Sequence, residues 1–254
     1  MKSTFALSTT RLLAGLALAG LASSALAASW NSGACALTSG VGNTCTWGDG
    51  TVATAFANTS SGATFAAATL ATYPGFGVYS GTEASAPEHA LDNNVNTELI
   101  AYKFTSAVVL DSVDFSYING DSDISVLRWV GSTSPAPVIA GKTVGNLAGG
   151  PAAVSTGWEL VGHYGGNSTG TDPRTINTTG LSSSWWLISA YNSGFTSDTR
   201  TQTLDSPGTP SDYVKVLAVA GHAPPPGVPE PGSLALMGVA LFGMMGMRRK
   251  QIRK

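Results

Sequence analysis

The residues best equipped for chemistry lie in four short strings in the middle of the chain. Gly166-Asn167-Ser168-Thr169-Gly170 reads G-x-S-x-G, with His163 and Asp172 close by. In hydrolases that string is a nucleophile elbow, a strained strand-to-helix turn that lifts the serine Oγ above a sheet. Here Pro173 breaks the helix that should follow, and the Ser, Asp, His order would leave only His222 as the base. Gly141-Lys142-Thr143 matches the end of a phosphate loop, but position 136 is Ala, and Pro135 and Pro137 stiffen a segment that must wrap phosphates. Asn119, Asp121 and Asp123 offer oxygens of the kind calcium takes, without the third acidic position and closing Glu of a calcium loop. They read as the tip of a hairpin carrying solvated carboxylates. Glu88, His89 and Asp92 share one loop, where hydrogen bonds from side chain to backbone are the simpler use for them. The expectation is a protein that is not an enzyme, with no catalytic residue, no cofactor and no metal ligand.

Two residue types remain. Trp30, Trp129, Trp158, Trp185 and Trp186 are numerous for this length. Indole faces stack on sugar rings, and they also fill cores. Trp185 and Trp186 are adjacent, so in a strand they point to opposite faces and one of them faces outward. Both are therefore the candidate glycan contacts. Cys35 and Cys45 are the only cysteines. In an oxidising compartment an even pair at this spacing reads as one disulfide closing a small loop.

The elements that must carry these residues are strands. Only 11% of the 254 residues are charged, less than half the roughly 25% of an ordinary soluble domain. Gly, Ser, Thr, Asn and Ala fill the gap. That composition excludes a coiled coil, a basic nucleic-acid binder, a zinc-finger array and a Cys-rich scaffold. Val113-Asp114-Phe115-Ser116-Tyr117 alternates with period two, and the turn Asn119–Asp123 leads to Ile124–Val130, a strong hairpin signal. Further strands are expected at Thr51–Phe56, Tyr102–Phe104, Val108–Leu110, Trp158–His163, Trp185–Tyr191 and Tyr213–Val219. Residues 60–70 are Ala-rich and read as a short helix, and Ser132–Gly157 as a long surface connection. The fold class is all-β, an antiparallel β-sandwich or jelly roll.

The ends specify traffic. Lys2 and Arg11 precede an apolar run from Leu12 to Leu21, and Ala25-Leu26-Ala27 closes the segment as a signal peptidase site, with Ala25 and Ala27 as the small residues read. The run is too short to span a bilayer. At the other end a Pro-rich linker precedes Val228-Pro229-Glu230-Pro231, an apolar stretch from Gly232 to Met247, and Arg248, Arg249 and Lys250 in a tail that carries five cations and no acid. Cations after a hydrophobic run hold the tail in the cytoplasm. The organisation is thus 1–27 signal peptide, 28–222 exported domain, 223–227 linker and 228–254 terminal segment. The part from 28 to 229 holds fourteen acids against six cations, a balance that disfavours nucleic acid and anionic membranes.

This tripartite end resembles the PEP-CTERM sorting signal. The resemblance implies that Pro229, Glu230 and Pro231 are recognised by exosortase, a membrane-embedded transpeptidase, in a Gram-negative bacterium that makes an exopolysaccharide or biofilm matrix. It implies export, a transient inner-membrane anchor through one hydrophobic helix, and delivery to the cell surface or extracellular matrix. Pro87–Asn93 with Tyr102-Lys103-Phe104, and Trp186–Tyr191 with Asp212–Val216 and Gly221, resemble a family of exosortase-dependent surface proteins. Ala90–Thr97 is similar to the opening of discoidin-like sugar-binding jelly rolls, with Glu98 where those domains usually carry Trp. The function expected from these resemblances is structural or adhesive, linked to exopolysaccharide; the alternative is a carbohydrate-binding module with a defined sugar site.

Overall fold

A computed structural model of the chain describes residues 27–58, 63–81, 89–94, 96–131, 136–147, 157–166, 173–196 and 211–225. The expected signal peptide, except Ala27, and the terminal segment 228–254 lie outside them. The strands are β1 (Ala28–Asn31), β2 (Ala36–Leu37), β3 (Thr44–Thr46), β4 (Val52–Ala57), β5 (Ala66–Ala67), β6 (Thr69–Ala71), β7 (Gly77–Tyr79), β8 (Leu91–Asp92), β9 (Glu98–Gly120), β10 (Ile124–Trp129), β11 (Trp158–Tyr164), β12 (Arg174–Thr175), β13 (Ser182–Ala190) and β14 (Asp212–His222). The helical elements are the 3₁₀ turn Ser32–Ala34 and α1, Val144–Leu147. The described fold is mostly β and its ladders are antiparallel.

β9 organises the molecule. No Gly or Pro interrupts it before Gly120, so the segments Tyr102–Phe104, Val108–Leu110 and Val113–Tyr117 form one strand of 23 residues rather than three. Its first part lies between β4 and β13, and its last part pairs with β14 and β12. The change occurs at a corner. Ser183 and Trp185 of β13 pair with Val108 and Lys103, leaving Phe104–Ala107 opposite Ser184 alone. Thr105, Ser106 and Ala107 are exposed there. Extra residues on one strand bend it and raise its twist. β14 carries β8 and β1 on its other edge, with Phe76 and Val216 exchanging backbone bonds of 2.7 and 2.9 Å between them.

The first part of the sheet is covered on both faces. One face supplies Ala53, Ala55, Ile100, Tyr102, Val126, Trp186 and Ile188 to the main core, where they meet Val113, Phe115, Val214 and Val216. The other supplies Leu99, Ala101, Leu127, Leu160 and Leu187, under Phe65, Ile139, Leu147 and Phe195. Cys35 and Cys45 form the expected disulfide, with Cα atoms 5.4 Å apart. Among the described residues no helix is long and apolar enough to cross a membrane.

Three expectations fail. β9 and β10 do not form a hairpin. Gly120 has the positive φ of a turn, but Asp121 joins β14 instead, and β10 enters the sheet between β11 and β13. The Ala-rich stretch contains β5 and β6 rather than a helix, because its backbone pairs with β4 and β7. The connection after β10 is not simply a surface loop, since Ile139 and Leu147 are buried in the second core.

Candidate functional site

Where β9 turns into β10, the chain meets β14 and three other strand ends. Asp121, Asp123 and Asp212 are buried there, with carboxylate oxygens within 4.8 Å of one another. Asp212 Oδ1 accepts from Asp123 N at 2.9 Å, and its Oδ2 accepts from Asn93 Nδ2 at 2.6 Å. Asp123 Oδ1 accepts from Gly166 N at 3.3 Å, and Asp121 Oδ1 from Ser122 N at 2.7 Å. Asn93 also donates to Tyr191 O at 2.8 Å, and Tyr191 N donates to Asp123 O at 2.9 Å. Arg174 lies over the Phe115 ring and donates to Ser122 O and, at 2.8 Å, to Ser122 Oγ. Burial and the neighbouring Asp121 charge raise Asp212 to about 6, against the hydrogen bonds that favour its charged form. These carboxylates are not the solvated tip of a hairpin. Their oxygens are those a hard divalent cation takes, and protein donors engage them as a clasp joining strand ends. Nothing local marks Asp212 as their partner, which lies 89 residues beyond Asp123.

His163 is buried, and both of its ring nitrogens are engaged by described residues. Its Nε2 lies 3.1 Å from the Phe195 carbonyl, which can only accept, so that nitrogen carries the proton. Nδ1 then accepts from Ser125 Oγ at 2.9 Å, and Asn192 N donates to the same hydroxyl at 3.1 Å. Burial lowers the pKa of the ring. Ser168 and Asp172 of the G-x-S-x-G string lie outside the described residues, as does Glu88. Thr143 caps α1 through a 3.2 Å bond from Asn146 N, and the Lys142 carbonyl accepts from Phe65 N at 2.8 Å. His89 packs edge-on to Tyr79, its ring 4.9 Å away. Asp92 accepts from Asn94 N at 3.0 Å, an Asx turn as expected of that loop.

The tryptophans divide as their alternation requires. Trp186 is 0% exposed and its Nε1 donates to Ser183 O at 2.9 Å. It is a core residue, and the expectation of a glycan contact there is withdrawn. Trp185 is half-buried on the opposite face. Opposed residues of an antiparallel pair share a face, and the register puts Trp158 opposite Trp129 and Trp185 opposite Lys103. One residue past the Arg128–Trp186 pair, Trp129 comes level with Trp185. Trp158, Trp129, Trp185 and Lys103 therefore form one row across β11, β10, β13 and β9. Trp158 is buried and meets Trp129 edge-on at 5.4 Å. Gly131 and Gly157 flank the Trp129 ring so closely that a Cβ at either would collide with it. Lys103 is exposed, its Nζ 5.7 Å from the Trp185 ring centre.

The terminal segment decides the traffic. Residues 227–250 match the family model of the PEP-CTERM protein-sorting motif. The chain carries a PEP-CTERM sorting signal. The match contains Val228, Pro229, Glu230, Pro231, Arg248, Arg249 and Lys250. A PEP-CTERM signal marks an exported protein for exosortase-dependent sorting to the cell surface, with exosortase as its processing partner. No curated protein and no solved structure matches the chain.

Proposed function

We propose that this is a non-enzymatic surface protein that a Gram-negative bacterium exports, anchors briefly in its inner membrane, and releases through exosortase to the cell surface or matrix. There its domain, a disulfide-bearing β-sandwich, takes a structural or adhesive part in the exopolysaccharide. The observation that carries this reading is the PEP-CTERM motif at residues 227–250, opposite an N-terminal segment with the features of a signal peptide. The stretch from Gly232 to Met247 is slightly shorter than the roughly 20 residues of a permanent span, which suits a temporary anchor. Signal peptidase removes residues 1–27, and the mature chain starts at Ala28. A carbohydrate-binding module with a defined sugar site is the second reading, favoured by the tryptophan row.

Intact mass and fractionation of the native protein, in cells with and without exosortase, test the main reading. The expected mature form begins at Ala28 and lacks the hydrophobic tail only when exosortase is present. A tail retained in both strains would make this a membrane-anchored domain facing the periplasm, and the matrix role would be abandoned.

A further inference from the structure

We propose that the signal peptide must be removed before the domain finishes folding, because docking of β1 on β14 shuts away the bond that signal peptidase hydrolyses. The inference rests on the export reading above and gives that cut its place in the order of events. Three observations carry it.

The first is that nothing separates the cut from the fold. β1 opens at Ala28, and every residue of it pairs with β14: Ala28 with Gly221, Ser29 with Ala220, Trp30 with Val219 and Asn31 with Ala218. Opposed Cα atoms in an antiparallel pair lie about 5 Å apart, so β14 occupies the flank along which a peptidase would have to grip Ala28 and Ser29. Hydrolysis adds water across the Ala27–Ala28 bond, leaving a carboxylate on Ala27 and an α-amine on Ala28. The enzyme needs that bond in an open, extended segment, and its rate follows how often the segment is open.

The second is how β1 is held. Trp30 is buried in the main core, edge-on to Phe104 at 4.6 Å, and its Nε1 donates to Asp49 Oδ2 at 2.8 Å. The Asn31 carbonyl accepts from Trp47 Nε1 at 2.9 Å. This anchor directly follows Ser29, so a stretch long enough to enter a peptidase cleft on the mature side of the bond comes free only when Trp30 leaves the core.

The third is order along the chain. β14 is built on β9 from Asp212 to His222, and His222 Nδ1 lies 2.6 Å from Asp111 Oδ2 at its end. Its outer edge is taken by β8 at Tyr213 and Val214, by Phe76 at Val216, and by β1 from Ala218 to Gly221. β1 is therefore made among the first parts of the domain, and its partner strand is the last. At about 5–20 residues per second the chain between them takes on the order of ten seconds or more to be made. The bond is open during that interval and closed after it. An uncut signal peptide does not prevent closure. Ala28 and Gly221 stand side by side, so the signal peptide and the sorting segment leave the domain at one corner and can both reach the same membrane. Folding and cutting thus compete for the same four residues.

The full-length precursor is made by cell-free synthesis in detergent under oxidising conditions, with purified bacterial signal peptidase present either during synthesis or only after folding, and intact mass is followed. Wild type should be cut after Ala27 in the first case and about tenfold or more slower in the second, since cleavage tracks the open fraction. Inserting Ser-Gly-Ser-Gly between Ala27 and Ala28 moves the bond off the strand and leaves each contact of β1 in place. That chain should be cut equally fast at both times. Trp30→Ala, checked for cooperative thermal unfolding, should be cut about tenfold or more faster than folded wild type, because loss of a buried Trp weakens the docked state. Equal rates for wild type at both times overturn the order, and so does an inserted chain as resistant as wild type. Trp30→Ala as resistant as wild type overturns the anchoring role of Trp30. If no chain is cut after Ala27 at either time, the signal peptide reading falls and the inference with it, while processing at the PEP-CTERM motif, read separately, remains.

Discussion

At the scale of residues, the buried carboxylates set a pH response whose sign can be worked out. Asp212 titrates at about 6 in the folded chain and near 3.9 when unfolded. The folded state therefore takes up this proton first, and its stability rises as pH falls from 7 toward 5. His163 acts oppositely. Its folded pKa is lowered by burial, so the unfolded chain protonates first, near 6.5, and the contribution of a neutral His163 is lost below that pH. Asp212→Asn removes only the first effect. Thermal unfolding across pH should show the variant losing about 2 kcal/mol relative to wild type between about pH 7.5 and about pH 4.5. A constant difference across that range would mean that Asp212 is ionised in the fold at all these pH values. Asp121 and Asp123 were visible as a pair in the sequence. Their partners Asp212, Asn93 and Arg174 were not, because three segments far apart in the chain deliver them.

At the scale of elements, strand positions follow local chemistry and strand partners do not. Val52–Ala57, Ile124–Trp129, Trp158–Tyr164 and Asp212–His222 lie within one to three residues of where β-favouring runs predict them. The Asn119-Gly120 turn also has its expected backbone, with Gly120 at φ 78°. The path of the chain beyond Gly120 is set at long range. Asp123 N bonds Asp212 and Tyr213 N bonds the Asp121 carbonyl, so the chain is drawn to β14 before it can fold back on β9. The connection after β10 gives the clearest test. Its Gly/Pro/Ala composition reads as surface, yet Leu147 is 2% exposed in the second core while Val138 is 59% exposed. Leu147→Ala should cost about 2–4 kcal/mol by chemical denaturation, as large-to-small core changes do. Val138→Ala should cost under about 0.5 kcal/mol. Equal, small effects would return this segment to the status of a loop.

At the scale of the whole molecule, address and domain are separable. Residues 28–229 hold fourteen acids against six cations, and the other seven cations sit in the two ends of the chain. Glu230→Ala, which alters the sorting motif, should leave an unprocessed precursor in the membrane fraction. Immunoblots of fractionated cells would show it, and normal release of that variant would refute the role given to Pro229, Glu230 and Pro231. The sequence by itself determined the sorting signal, because a motif read by another protein as a short linear segment needs no fold to be legible. It also determined that the domain is β, that Cys35 pairs with Cys45, and that Trp185 and Trp186 part company, since alternation along a strand is a local property. Only the tertiary structure decided that Trp186 is the buried one, that Asp212 closes on Asp121 and Asp123, and that Trp158, Trp129, Trp185 and Lys103 stand in one row. Those facts depend on register between strands far apart in the chain, and register is settled by which core the whole sheet can close.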